Sequence, residues 1–378
     1  MKKGLILGLS VAIMATLLLT LRPQRVEAGT EFNGSNYKIL PPISHGDLTI
    51  FPIVASKVND ASDFLTLDEG IRSGDVVVTE VGKIHPLIRR PNAVIPQGSS
   101  GVVNRLVLVN NSKHPLILLA GEVVTGGKQD RVVGKDRIVP AESDPVDLSV
   151  FCVEHGRWVE SATKFDTHNY VMAQPSVRKQ VMAENNQQKV WDEVANSKAN
   201  MAANSRGYIA RAAPSSSANA AATVELEQLD QTTSYAKTRE NGVIQKQVDE
   251  IVQPMQRAYE SVIKQLREQN AVGVVVAVKG HIIWADIFAS TGLLSKYWPK
   301  LLQSYAAEAL SMPGERIEVT SKAAEQFLDN WQTRHEVVES EPGLYRQTEM
   351  TGDRFKAFEL TSLLPKQNFD LHLSKIVN

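Results

Sequence analysis

The chain has 378 residues, 43% of them hydrophobic, and its 41 Lys plus Arg almost balance 42 Asp plus Glu. That is enough apolar material for one substantial core or two smaller ones, and it excludes a disordered or collagenous chain. The even charge excludes the basic excess of a general nucleic-acid binder, so no nucleic-acid partner is expected.

Residues 1–28 read as a signal peptide. Lys2 and Lys3 form a positive start, Gly4 to Leu21 is uncharged, and Val26-Glu27-Ala28 resembles the small-residue rule before a cleavage site. Cleavage there gives a mildly acidic extracytoplasmic protein, periplasmic or secreted; membrane contact is expected only if the segment is retained. Cys152 is the one cysteine, so no intramolecular disulfide forms and stability rests on packing. No pattern specifies an oligomer.

After an N-terminal lead-in at 29–46, a single domain is expected over 47–360, with a C-terminal tail at 361–378. Its first part is strand-rich. Leu48 to Val54, Asp75 to Val81, Val102 to Val109, Pro115 to Ala120 and Val146 to Val153 carry β-branched and large apolar residues between turn residues. Within Val102 to Val109 both faces are largely apolar, so that strand is expected to be covered on both sides. Asp68 to Ser73 reads as a short helical turn.

Ser176 is a candidate cap for a helix that includes Val177, Val181, Trp191 and Val194, interrupted by the polar run Glu184 to Gln188. Ala195 to Ala222 is rich in Ala, Ser and Asn and is expected to be a loop or linker, a flexible insertion at about 200–222. From Ile244, apolar residues at spacings of three and four (Val248, Ile251, Met255, Tyr259, Val262, Leu266) predict a helix packed on a sheet, kinked or restarted at Pro254. Val274 to Val278 and His281 to Ile287 read as a hairpin turning at Lys279-Gly280. Leu294 to Leu310 and a Thr320-capped segment read as helices. Glu336 to Glu339, Leu344 to Met350 and Arg354 to Leu360 read as terminal strands. Strands, central helices, hairpin, helices and strands in that order predict an α+β fold rather than a βαβ series.

The chemistry-bearing tract is Gly121 to Trp158. Gly126-Gly127 permits tight backbone geometry, Lys128 and Arg131 can meet an anion, and Gln129 can orient one; no GxxxxGK[S/T] loop is present. The same charges can instead pair among themselves at a structural turn. Cys152 shares an apolar strand face with Val146, Leu148 and Val150, which favours a buried thiol over a nucleophile. No HExxH or paired CxxC is present, so no metal or other cofactor is expected.

Phe51-Pro52-Ile53, the Gly121-Glu122 to Arg131 segment, the Cys152-Val153-Glu154-His155-Gly156-Arg157-Trp158 run, and Val272 to Phe288 with the Trp298 helix resemble the ARG and rhodanese-phosphatase-superfamily-associated protein family, a former bacterial domain of unknown function. The resemblance covers about residues 40 to 360. It implies importance for Glu122, Lys128, Gln129, Arg131, Cys152, Glu154, Arg157, Trp158 and Asp286 without assigning their chemistry. Glu122 and Glu154 are the candidate acid/base pair. Lys128, Gln129, Arg131, Arg157, Trp158 and Asp286 are the candidate ligand-binding residues. The leading expectation is an accessory domain that recognises an anionic or glycan-like, envelope-derived ligand or a protein partner. The alternatives are a hydrolase acting on phosphate-containing or ADP-ribose-like material and an envelope structural protein.

Overall fold

The computed structural model describes residues 37–84, 105–157, 159–167, 171–211, 217–266 and 269–378. The signal segment, Trp158 and the first three residues of the strand expected at Val102 lie outside the described residues. The chain enters the fold with β1 (Tyr37–Ile39), β2 (Ile43–His45) and the wholly buried β3 (Leu48–Ala55). β4 (Leu65–Thr66) leads into helix α1 (Leu67–Ser73). There the Thr66 hydroxyl accepts from the Glu69 N–H and the Glu69 carboxylate accepts from the Thr66 N–H, so two donors that the helix start would orphan are satisfied.

β5 (Val76–Glu80), β6 (Arg105–Asn110), β7 (Leu116–Leu118), β8 (Val123–Val124), β9 (Arg131–Val133), β10 (Arg137–Val139), β11 (Val146–Cys152) and β12 (Lys164–Phe165) complete the strand-rich part. In β6, Leu106 and Leu108 enter one apolar cluster while Val107 and Val109 enter another with Ile84, so the strand is covered on both faces.

Helices follow: α2 (Pro175–Lys179), a single π-type turn over Gln180–Glu184, α3 (Gln187–Arg211), α4 (Ser217–Leu229), α5 (Tyr235–Glu240) and α6 (Gly242–Ile263). α2 starts at Pro175, not after a Ser176 cap, because the fixed φ of proline suits the first helical position. The Ala/Ser/Asn-rich interval differs most from expectation: residues up to Arg211 and from Ser217 onward are helical. Alanine is the best helix former, and Ser197, Ala202 and Ser205 are buried on a face that needs only small side chains. α6 runs through Pro254 as one helix, held by the buried Ile244, Val248, Met255 and Tyr259.

β13 (Asn270–Val278) and β14 (His281–Phe288) form the expected hairpin, with Lys279 at φ 52° and Gly280 at φ 83°, the left-handed pair whose twist matches the strands. α7 (Thr291–Ser311) is capped by Ser290 and α8 (Ser321–Asp329) by Thr320. β15 (Thr333–Glu341), β16 (Tyr345–Gly352), β17 (Phe355–Ser362) and β18 (Asp370–Val377) end the chain. The lead-in and tail expected at 29–46 and 361–378 thus both supply strands. β18 even lies inside the sheet, because its polar His372, Ser374 and Lys375 all find buried partners.

The largest sheet is antiparallel throughout, in the order β1-β3-β13-β14-β18-β17-β16-β15, with β2 also on β3. A six-stranded sheet, β12-β5-β6-β11-β9-β8, and a three-stranded one, β10-β7-β4, make up the rest, and the fold is α+β. One large apolar cluster joins Ile50, Val276 and Trp284 of the main sheet to Leu301 and Tyr305 of α7 and Met201 of α3. A second joins the two smaller sheets through Leu106, Leu148 and Leu118. On the α7 side of the main sheet, register aligns Val337, Glu349, Phe358, Ser374 and Asp286 in one cross-strand row and Glu339, Gln347, Leu360 and His372 in the next.

Candidate functional site

The Gly126 to Arg131 turn is held from within. Gly126 and Gly127 have φ of 139° and 50°, and a Cβ on Gly127 would lie 2.4 Å from the Phe165 ring, so a side chain there meets both backbone strain and a clash. Arg157 donates to Glu154 (2.6 Å), to Asp130 (3.1 Å) and to the carbonyls of Gly127 (2.9 Å) and Val159 (3.0 Å). Asp130 also accepts from the Gly126 N–H and the Ser234 hydroxyl. Burial and the nearby Glu154 push its carboxyl up. Arg131 is 2% exposed and donates to the carbonyls of Gln129 and Asp130. Glu154, Arg157 and Asp130 are thus brought together, with their charges turned inward. Lys128 is not part of that set; its backbone N–H donates to Glu80. Gln129 is fully buried, and neither end of its carboxamide has a partner among the described residues.

Cys152 is 1% exposed, and burial raises its thiol, with the nearby Arg131 opposing. Its backbone is paired on both sides by the Gln187 carboxamide, at 2.8 and 2.9 Å. His155 instead packs edge-on against Trp191, 4.5 Å between ring centres. The cysteine therefore belongs to the strand packing.

Glu122 sits in a different network. It is 1% exposed, accepts from the Leu119 N–H and pairs with Lys300, which also holds Asp68 at 2.7 Å. Burial pushes the Glu122 carboxyl up against the pull of Lys300. Burial alone would lower the Lys300 ammonium, but Glu122 and Asp68 outweigh it and raise it.

Asp286, in β14, is the hub of a third set. Arg178 of α2 grips it with both guanidinium ends, at 3.0 and 3.2 Å, and Tyr305 (2.5 Å) and Ser374 (2.7 Å) donate to it. His372 bridges Asp286 at 3.2 Å and Asp136 at 2.5 Å, and both residues of each pair are sealed from solvent. Burial would raise Asp286, yet Arg178 and His372 hold it well below the usual carboxylate range. Burial would lower His372, yet Asp136 and Asp286 bring it up to about 9. Gly121 is what lets Arg178 through: at φ 97°, a Cβ there would stand 2.6 Å from the Arg178 side chain. Arg178, Lys300, His372, Asp136, Asp68, Tyr305 and Ser374 were not singled out from sequence. Their only advance signal is Gly121 beside Glu122, since the partners are spread over elements far apart in the chain.

None of these residues lines either of two clefts found among the described residues. One, of about 390 Å³, lies beside Asp47, Gly280 and Arg316. The other, of about 240 Å³, has as its floor Val337, Glu339, Gln347, Glu349 and Phe358 from the two aligned rows of the main sheet. Gly134, Lys135 and Ser149 form one wall, and Val181, Met182, Ala183 and Asn185 of the π-type turn form another. Asn185 ends that turn at φ 47°, ψ 42°, a conformation asparagine tolerates better than most residues. Single π turns are frequent at functional sites. Among the described residues no group of three or more His, Cys, Asp or Glu is placed to hold a metal ion.

The family model of the ARG and Rhodanese-Phosphatase-superfamily-associated Protein domain matches residues 36–375. The chain belongs to this family. No curated protein and no solved structure matches it. The family domain takes in β1 and nearly all of β18, so the main sheet, the three charge networks and the 240 Å³ cleft all fall inside it. It also extends past both ends of the 47–360 domain expected from sequence.

Proposed function

We propose that this chain is a ligand-recognition domain that works outside the cytoplasm, and that its role is binding rather than hydrolysis. The observation that carries the reading is the commitment of both candidate acid/base groups to protein partners. A general acid or base must come within hydrogen-bond reach of the proton it moves. Glu122, 1% exposed, faces Lys300, and Glu154, 4% exposed, faces Arg157 and Asp130. Arg131 and Arg157, which a hydrolase would need for developing negative charge, donate to carbonyls and carboxylates of the chain itself. The cleft against the π-type turn supports binding, since apolar and polar side chains line it together. The sequence of residues 1–28 supports the location; among the described residues no helix is long and apolar enough to cross a membrane.

The test measures binding and turnover together. Wild type, Glu122→Gln and Glu154→Gln are screened against phosphate esters, ADP-ribose and neutral and charged saccharides. Saturable binding without turnover is the expected result. A wild-type reaction that falls roughly 100-fold or more in a folded Gln variant would overturn the reading in favour of the hydrolase. Intact mass and cell fractionation test the location: a mature protein beginning near Gly29 outside the inner membrane is expected, and cytoplasmic retention of the full chain contradicts it.

A further inference from the structure

The 240 Å³ cleft has a specific polar character. Its rim charges are already answered: Lys135 pairs with Glu339 at 2.6 Å, and Glu349 pairs with Lys356 at 3.2 Å. Lys356 also donates to the Ala183 carbonyl at 2.8 Å and so ties the π-type turn to the sheet. Among the described residues that line it, no lone cation waits for an anion and no lone carboxylate for an amine.

The neutral groups are the ones left open. Gln347 is 8% exposed, lines the cleft, and makes no side-chain hydrogen bond among the described residues. The side chains of Ser149 and Asn185, on the other two walls, are likewise without a partner among the described residues. An amide buried this far, with donor and acceptor both unused, loses free energy unless water or a ligand meets it. From two other elements the exposed Ser149 and Asn185 bring a hydroxyl and a carboxamide to the same space. Val181 and Met182 on the turn wall and Phe358 on the floor add apolar surface suited to the C–H face of a ring. Hydroxyl groups match this set, since each donates and accepts at once, as do the carboxamides and the serine. At 240 Å³ the space is below the roughly 300–1,000 Å³ of sites for drug-sized ligands.

Resting on the binding reading above, we infer that this cleft is a saccharide subsite for a neutral, hydroxyl-rich ligand of one or two rings, held by Gln347, Ser149 and Asn185. Its selectivity comes from charge neutrality: a phosphate or carboxylate on the ligand meets two carboxylates whose lysines are already engaged.

Calorimetric titration of the full mature protein tests this, with maltose and N,N′-diacetylchitobiose as neutral probes and glucose 6-phosphate and glucuronate as charged ones. Gln347→Leu keeps the bulk of the side chain, and Asn185→Gly keeps the left-handed backbone while removing the amide. At least one neutral probe binds the wild type, and each substitution weakens it about tenfold, the loss expected when one hydrogen bond is removed. Circular dichroism and the unfolding midpoint stay unchanged in both variants. Binding of the charged probes alone overturns the neutral-saccharide assignment and leaves the binding reading standing. Neutral binding that neither variant weakens moves the site elsewhere and overturns the assignment to this cleft. Turnover of a phosphate ester or ADP-ribose that is lost in folded Glu122→Gln or Glu154→Gln overturns the binding reading itself.

Discussion

The same two cross-strand rows of the main sheet carry polar groups under opposite terms. Toward β14 and β18 they hold Asp286, Ser374 and His372 beneath α7, where Arg178, Tyr305 and Asp136 answer them with solvent excluded. Toward β15 and β16 they hold Gln347 and Glu349, where the carboxylate has its lysine and the amide has nothing. The difference follows from what each group would lose. A buried charge without a partner costs several kcal/mol, so it is tolerated only inside a closed set. A neutral amide at the edge of a cleft costs far less, and it can wait for a ligand. The perturbed carboxylates Glu122 and Asp286 therefore belong to the framework, while the neutral groups of the cleft are the ones proposed to meet a ligand.

The comparison is broken most severely at Arg178. Arg178→Met removes the two-pronged partner of Asp286 and leaves only His372, Tyr305 and Ser374 on it, which should cost roughly 3–5 kcal/mol, read as a fall in the denaturation midpoint. A loss below about 1 kcal/mol would mean that the set is not the framework described. Lys300→Met should cost somewhat less, about 2–3 kcal/mol, because Glu122 is already pushed up by burial and takes a proton when its partner is removed. Lys300→Arg would not rescue it, since the planar guanidinium does not fit the space of a buried ammonium gripped from two sides.

Between these and the smallest effects lies pH. His372 rises from its ordinary 6.5 to about 9 in the folded protein, so the proton is held more tightly folded than unfolded. Its contribution is full below pH 6.5 and is lost as pH climbs through 9. Lys375, lowered by burial to about 7, has the opposite pH dependence over part of that window, so the check is the difference between wild type and His372→Gln: the stability lost in the variant should be largest below pH 6.5 and shrink as pH climbs through 9. A difference that does not shrink with rising pH would contradict a charged His372 between Asp136 and Asp286. Smaller still is Gln129→Met, which removes an unanswered buried carboxamide and should be neutral or stabilising by up to about 1 kcal/mol. A large loss there would reveal a partner for that amide.

Much of the fold was legible because local chemistry specifies it. Lys279-Gly280 announced its hairpin, Thr320 its helix cap, and the spacing of Ile244, Val248, Met255 and Tyr259 the buried stripe of α6. The Ala/Ser/Asn-rich interval misled, because scarcity of large side chains reads as a loop while alanine in fact favours helix wherever a neighbour accepts a small-residue face. The C-terminal segment misled for a different reason. His372, Ser374 and Lys375 look solvent-facing in sequence, and only Asp136, Asp286 and the carbonyls of Phe327 and Asn330 make a central strand of them. Glu122, Glu154 and Asp286 stood out as chemistry-bearing positions, but their partners come from residues that no spacing rule connects. The cleft left no trace in the sequence, since Ser149, Asn185 and Gln347 are ordinary residues until three elements converge.

The most direct measurement is an NMR titration of the protein with N,N′-diacetylchitobiose and maltose, following backbone and side-chain amide shifts. The account predicts that saturable shifts cluster at Ser149, Asn185 and Gln347, including the Gln347 side-chain amide, while Gly126 to Arg131 and the amides around Asp286 stay still. Shifts centred on Gly126 to Arg131 and Glu154, with Gln347 unmoved, would contradict it.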